Sequence, residues 1–159
     1  MRNILLSEMD KYFERDVKRI NHAKKVLGFA EEILKTEQGD SEIITAAAIL
    51  HDIGIHAAEK KYGSTSGKYQ EIEGPPIAGN ILNKINFPKA KIVEVLEIIA
   101  NHHSPGKIVT NNFKILYDAD WLVNLREEHD VSNKTKLKTI IEKVFLTETG
   151  KKLAYENYD

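Results

Sequence analysis

Apolar residues recur at spacings of three and four along almost the whole chain, and strict two-residue alternation is absent, which predicts an all-α fold. A first helix is expected over about residues 3–14, with Ile4, Leu5, Met9, Tyr12 and Phe13 on its inner face. Asp16 suits the N-cap of a second, striped by Ile20, Ala23, Val26, Leu27, Ala30, Ile33 and Leu34. Gly39 falls where a left-handed residue ends that helix, and Asp40 or Ser41 caps the next. This third helix carries the most apolar run, Ala46-Ala47-Ala48-Ile49-Leu50, and closes on His51-Asp52 before Ile53 and Gly54, a glycine that can stop a helix.

From Ile55 to Gly74 the pattern weakens to a short turn around His56–Tyr62 and a loop over Gly63–Lys68, the kind of segment that often serves as a lid or binding loop. Pro75-Pro76 suits a helix start, followed by Ile77, Ile81, Leu82 and Ile85. Phe87-Pro88 opens another helix, whose Ile92, Leu96 and Ile99 lead to His102-His103 and the stop Ser104-Pro105-Gly106. Phe113 to about Glu128 is helical again, and Ser132 caps a last long helix striped by Leu137, Ile140, Ile141, Val144 and Phe145. The expectation is a single compact bundle of about six to seven helices.

Composition narrows the function without naming it. A chain of 159 residues is long enough for a hydrophobic core without staples, and 42% hydrophobic with 30% charged residues is ordinary for a globular protein. There is no cysteine, so disulfides, thiolate metal sites and a cysteine nucleophile are excluded. A net charge of -1 gives no electrostatic reason to expect a nucleic-acid polymer or an anionic membrane as partner. The N-terminal apolar run Ile4-Leu5-Leu6 is too short for a signal peptide, and no segment nears the roughly 20 apolar residues that span a bilayer. A cytoplasmic protein acting on a small molecule is expected, with a homodimer as the assembly to test.

The candidate chemistry lies in histidines and aspartates near apolar faces. His22 shares a helix face with Val26, Phe29 and Ile33, so it points at least partly inward. His51 and Asp52 diverge by about 100° on a helix but converge near its end, where an aspartate opposes the negative pole of the helix dipole unless a cation sits nearby. His102-His103 repeats that shape. Asp118 and Asp120 interrupt the apolar run Ile115-Leu116-Tyr117-Asp118-Ala119-Asp120-Trp121-Leu122-Val123, and a buried carboxylate needs a cation or donors. Histidines and aspartates together suit a divalent ion such as Mn, Fe, Co, Ni, Zn or Mg.

The order His22, His51-Asp52, Asp120 resembles the HD-domain superfamily of metal-dependent phosphohydrolases, with His51-Asp52-Ile53-Gly54 matching its His-Asp-Ile-Gly form. Ala119-Asp120-Trp121-Leu122-Val123-Asn124 is similar to the family's late Ala-Asp-x-Leu segment, and the match spans about residues 20–126. The resemblance implies one HD-like domain over residues 1–159, with a core of about 16–128 and a C-terminal helical extension over 129–159. It implies that His22, His51, Asp52 and Asp120 bind one divalent metal, with Asp118 as the alternative to Asp120. Asn124 resembles a substrate-touching position, and His102 or His103 matches imidazoles that contact phosphate or, with Glu73, hold a second ion.

The chain also departs from the family's patterns. The doublet is followed by Ile55 where a lysine is common, so a phosphate-clamping cation must come from elsewhere; Lys60, Lys61, Lys68 and Lys107 flank the loops. Between the doublet and the His102-His103 pair there is no further histidine except His56, and Glu71 and Glu73 stand there instead. The Glu-Asp pair of the guanosine-tetraphosphate hydrolases and the Gly-Tyr-Pro signature of the cyclic-di-GMP phosphodiesterases are both absent. The expected activity is hydrolysis of a nucleotide or other small phosphate ester through a metal-activated water, with Asp52, His102 and His103 catalytic and Asn124, Lys68 and Lys107 binding substrate. A two-iron oxygenase or a non-catalytic regulatory module is the alternative.

Overall fold

A computed structural model describes residues 1–158, which form helices joined by turns and short loops. Nine helices occur among the described residues: α1 (Arg2–Phe13), α2 (Val17–Ile33), α3 (Ser41–Leu50), α4 (Ile55–Tyr62), α5 (Gly67–Lys84), α6 (Lys89–Asn101), α7 (Asn111–Glu128), α8 (Lys134–Val144) and α9 (Glu148–Tyr158). The middle of the molecule is α3, which packs against α1, α2, α6 and α7. Its Ala46, Ala47, Ala48, Ile49 and Leu50 have no exposed surface, as an apolar-all-round helix requires. Three alanines in a row let the neighbouring helices approach from several sides, so the end of α3 arrives at the centre of the bundle.

Two predicted caps form. Asp16 accepts from the Arg19 amide at the start of α2, and Asp40 accepts from the Glu42 and Ile43 amides at the start of α3. Gly39 departs from expectation, since it is not among the left-handed residues. Space is what demands a glycine there: a Cβ would come within 2.6 Å of Ile44 Cδ1 and 3.0 Å of Ile115 Cδ1. Gly54 likewise serves contact more than helix stopping, because a Cβ would lie 2.5 Å from the Gly74 amide nitrogen on α5. That close approach ties the turn carrying His51 and Asp52 to α5.

The weakly patterned stretch is where the structure differs most from the sequence expectation. The turn around His56 is the full helix α4, and the loop shrinks to Gly63–Ser66 because α5 starts at Gly67. Pro75-Pro76 therefore lies inside a helix rather than at its start. Proline costs an intrahelical hydrogen bond there, but tertiary contacts hold the first half of α5 in place. Gln70 donates to the Thr65 carbonyl, and Glu71 accepts from the His103 amide and the Ser104 hydroxyl.

The single last helix is also replaced, by α8 and α9, and the cap of α8 is Asn133 rather than Ser132. The break at Phe145–Thr147 is anchored by Asp118 of α7, which accepts from the Leu146 amide, the Thr147 amide and the Thr147 hydroxyl. Helix α9 then lies along α7, where the Tyr158 hydroxyl donates to the Leu122 carbonyl. Among the described residues no helix is long and apolar enough to cross a membrane.

Candidate metal centre

Three helices that pack on one another, α2, α3 and α7, deliver His22, His51, Asp52 and Asp120 to one point. Nε2 of His22 lies 3.3 Å from Nε2 of His51, 3.0 Å from Oδ1 of Asp120 and 3.4 Å from Oδ2 of Asp52. Nε2 of His51 lies 3.3 Å from the same Asp120 oxygen and 3.4 Å from the same Asp52 oxygen. All four residues are buried, and His51 has no exposed surface.

The tautomers show what this cluster needs. Nδ1 of His51 donates to the Ala48 carbonyl at 2.8 Å, and Nδ1 of His22 donates to the Glu127 carboxylate at 3.0 Å. In their neutral forms both rings therefore aim a bare Nε2 lone pair at the point where two carboxylates aim theirs. Four electron-rich atoms facing one another inside a protein require a cation or extra protons. Donors about 2.1 Å from a common ion lie roughly 3.0 Å apart at right angles and roughly 3.4 Å apart at the tetrahedral angle. The observed separations of 3.0–3.4 Å fall in that range, so the residues fit a divalent ion.

Without an ion, protons take its place. Burial works against a charged imidazole at His51, but Asp52 and Asp120 outweigh it and hold its pKa well above the ordinary 6.5. His22 is raised in the same contest, chiefly through its hydrogen bond to Asp120. Burial would raise the two carboxylates, yet His51 and the other imidazoles hold both Asp52 and Asp120 below the usual carboxylate range.

A second group adjoins the first through Asp52. Asp52, His102 and His103 each offer a ligand atom within 4.8 Å of the others. Nδ1 of His102 donates to the Ile99 carbonyl at 2.6 Å, leaving Nε2 as the lone-pair atom. That Nε2 is buried without a hydrogen-bond partner, 3.4 Å from Oδ1 of Asp52. A buried acceptor facing a carboxylate oxygen calls for a donor or an ion between them. The His103 ring lies tilted beside His102 at 4.0 Å and leans on Gly67, where a Cβ would approach its Cγ to 2.8 Å. Although His103 is exposed, crowding by surrounding atoms and by His102 lowers its pKa to about 4, and its Nε2 donates to Gln70 Oε1.

Against these distances, a sequence model of the HD domain family matches residues 19–125, about two thirds of the chain. The chain belongs to the HD domain family. HD domains bind divalent metals, and His22, His51 and Asp52, with Asp120 at 3.0 Å from His22, form a cluster able to hold one. The chain is also similar to a crystal structure described as a predicted HD superfamily hydrolase from an uncultured Thermotogales bacterium. The two are 27% identical with a TM-score of 0.70, over 97% of this chain and 83% of the other. No protein of curated function matches.

Several residues singled out in the sequence lie elsewhere in this HD domain. Asp118 faces α9 rather than the metal cluster, because three donors at the α8–α9 break claim its oxygens. Glu73 is held away from the second group by the Tyr62 hydroxyl at 3.1 Å and the Lys61 ammonium at 3.5 Å. Lys68 sits over the Tyr69 ring in the first turn of α5, and neither it nor Lys107 lines the cavity beside the cluster. His56 pairs with Asp16 at 2.7 Å. Asn124 does line the cavity, together with Arg19, Gln70, Glu127 and Glu128.

Glu127 and Arg19 are the residues sequence reasoning passed over. Glu127 orients His22, and it follows Asp120 and Asn124 on one face of α7 at offsets of seven and three. Arg19 stands one turn before His22. Those offsets were the available signal, but neither residue type by itself marks a site on an otherwise charged surface.

Proposed function

We propose that this HD domain is a metal-dependent phosphohydrolase acting on a nucleotide or other small phosphate ester. The observation that carries the reading is the convergence of four ligand-type atoms from His22, His51, Asp52 and Asp120 within 3.0–3.4 Å of their neighbours. A divalent ion held there supplies Lewis acidity, which acidifies a water and polarises a phosphoryl oxygen.

The protein's own groups do the rest. Oδ2 of Asp52 belongs to the metal cluster while Oδ1 faces Nε2 of His102, so one carboxylate serves two tasks. Two acceptors 3.4 Å apart can share a water lying to one side of both, take its proton as its oxygen bonds to phosphorus, and pass that proton on to the leaving oxygen. The bond from phosphorus to the leaving oxygen breaks, giving a phosphate and an alcohol when the substrate is a monoester. His103, held neutral and fixed by Gln70, is a polar group at the mouth for the phosphate or leaving oxygen. Glu127 keeps His22 in the tautomer that presents Nε2.

The test is a panel of phosphate esters assayed with Mn, Co and Mg, comparing the wild type with Asp52→Ala. Metal-dependent phosphate release that vanishes in the variant supports the reading, and no release from any ester by the wild type overturns it. The second group, Asp52, His102 and His103, favours a two-ion variant, including the two-iron oxygenase. Two irons per chain in freshly purified protein would point to that chemistry, and one divalent ion to the hydrolase.

A further inference from the structure

The cavity beside the metal cluster has an uneven charge. It holds about 70 Å³, and its walls beyond the cluster are Arg19, Ile55, Gln70, His103, Asn124, Glu127 and Glu128. Arg19 is the one cation among them. It is partly buried and makes no ion pair within 4 Å among the described residues, and its amide is already used by Asp16 in capping α2. Helix α7 contributes Asn124, Glu127 and Glu128 to the same wall, so two carboxylates border the cavity beside the cluster.

Two constraints follow. Sites that enclose a whole small ligand run to about 300–1,000 Å³. At about 70 Å³ this cavity admits only the reacting end of a substrate. A single guanidinium suits one phosphoryl group, which it can grip with two parallel hydrogen bonds. A second or third phosphate would lie against Glu127 and Glu128 at a cost in like-charge repulsion.

Resting on the phosphohydrolase reading, we propose that the substrate is a phosphomonoester entering phosphate-first, with Arg19 gripping the phosphoryl group and an uncharged, hydroxyl- or amine-bearing remainder lying against Asn124, Glu127 and Glu128. The site selects against nucleoside di- and triphosphates through those two carboxylates. Arg19 supplies the cation that Ile55 does not.

Calorimetry with inorganic phosphate, on protein carrying its full complement of Mn, tests the grip without turnover. Arg19→Ala is expected to weaken phosphate binding by about 10- to 100-fold at unchanged metal content, with Arg19→Lys recovering part of the loss. Phosphate binding equal to wild type in Arg19→Ala overturns the assignment, as does a wild type that binds no phosphate. In turnover, one nucleoside's monophosphate is expected to exceed its triphosphate in kcat/KM by at least about tenfold, and Glu128→Lys to narrow that gap. A triphosphate hydrolysed as well as the monophosphate overturns the selectivity. Arg19-dependent phosphate binding with no ester hydrolysed would leave the phosphoryl pocket standing and remove the hydrolase reading.

Discussion

Asp118 and Asp120 lie two residues apart on α7, both buried, and their surroundings are opposites. Asp118 looks towards α9 and meets two amides and a hydroxyl, all donors. Asp120 looks towards α2 and α3 and meets two imidazole nitrogens, each on a ring whose other nitrogen already donates elsewhere. Burial, helped by the Glu37 carboxylate, pushes Asp118 up to about 6 despite its donors, whereas His51 and His22 hold Asp120 below the usual carboxylate range in spite of its burial. The same residue type on one helix thus staples a helical pair in one case and demands a positive charge in the other. Burial alone does not mark a functional carboxylate; the identity of its partners does.

The sharpest way to break the comparison is to remove each carboxylate in turn. Asp120→Ala should retain less than about a tenth of the metal bound by the wild type, measured per chain after desalting, because the remaining donors no longer enclose the ion. Asp118→Ala should keep its metal but lose on the order of 3 kcal/mol of stability by chemical denaturation at neutral pH, since three donors lose their acceptor. Equal metal loss in the two variants would sink the distinction.

A smaller effect is expected at Glu127, which acts on the cluster through His22. Glu127→Ala should weaken metal binding by about 10- to 100-fold, and Glu127→Gln, which can still accept from Nδ1, should lose less. Direct titration with a competing chelator reads both. If the two variants bind metal like the wild type, the carboxylate does not position the ring.

The smallest effect separates the two aspartates by pH. In metal-free protein His22 and His51 have raised pKa values, so the stability they confer is complete below their unfolded value of 6.5 and is lost as pH rises through the folded values. Asp118, at about 6, has largely finished titrating below that window. Thermal unfolding with chelator should therefore weaken as pH rises above about 6.5, while metal-loaded protein should change little because the ion replaces the protons. A metal-free protein equally stable across that range would count against protons standing in for the ion.

Much of the molecule could be read from local pattern. The stripes of α2, α3, α6 and α7 and the caps Asp16 and Asp40 depend on residues within a turn or two of each other, so periodicity and capping chemistry reveal them. The clustering of His22, His51, Asp52 and Asp120 was also foreshadowed, because each interrupts or ends an apolar face and the family pattern orders them. The first half of α5 was missed for the converse reason. It forms against its own prolines, held by contacts with Gly54, His103 and Ser104 that lie elsewhere in the chain.

By itself, then, the sequence determined an all-helical chain, a central helix ending in His-Asp, and a short set of polar residues placed where burial is costly. Only the tertiary structure decided which of those residues share a point in space. It separated Asp118 from Asp120, paired Glu73 with Tyr62, left Lys68 and Lys107 off the wall of the cavity beside the cluster, and brought in Glu127 and Arg19. The physical reason is that helical periodicity is fixed by neighbours along the chain, while the partner of a buried charge is fixed by neighbours across it.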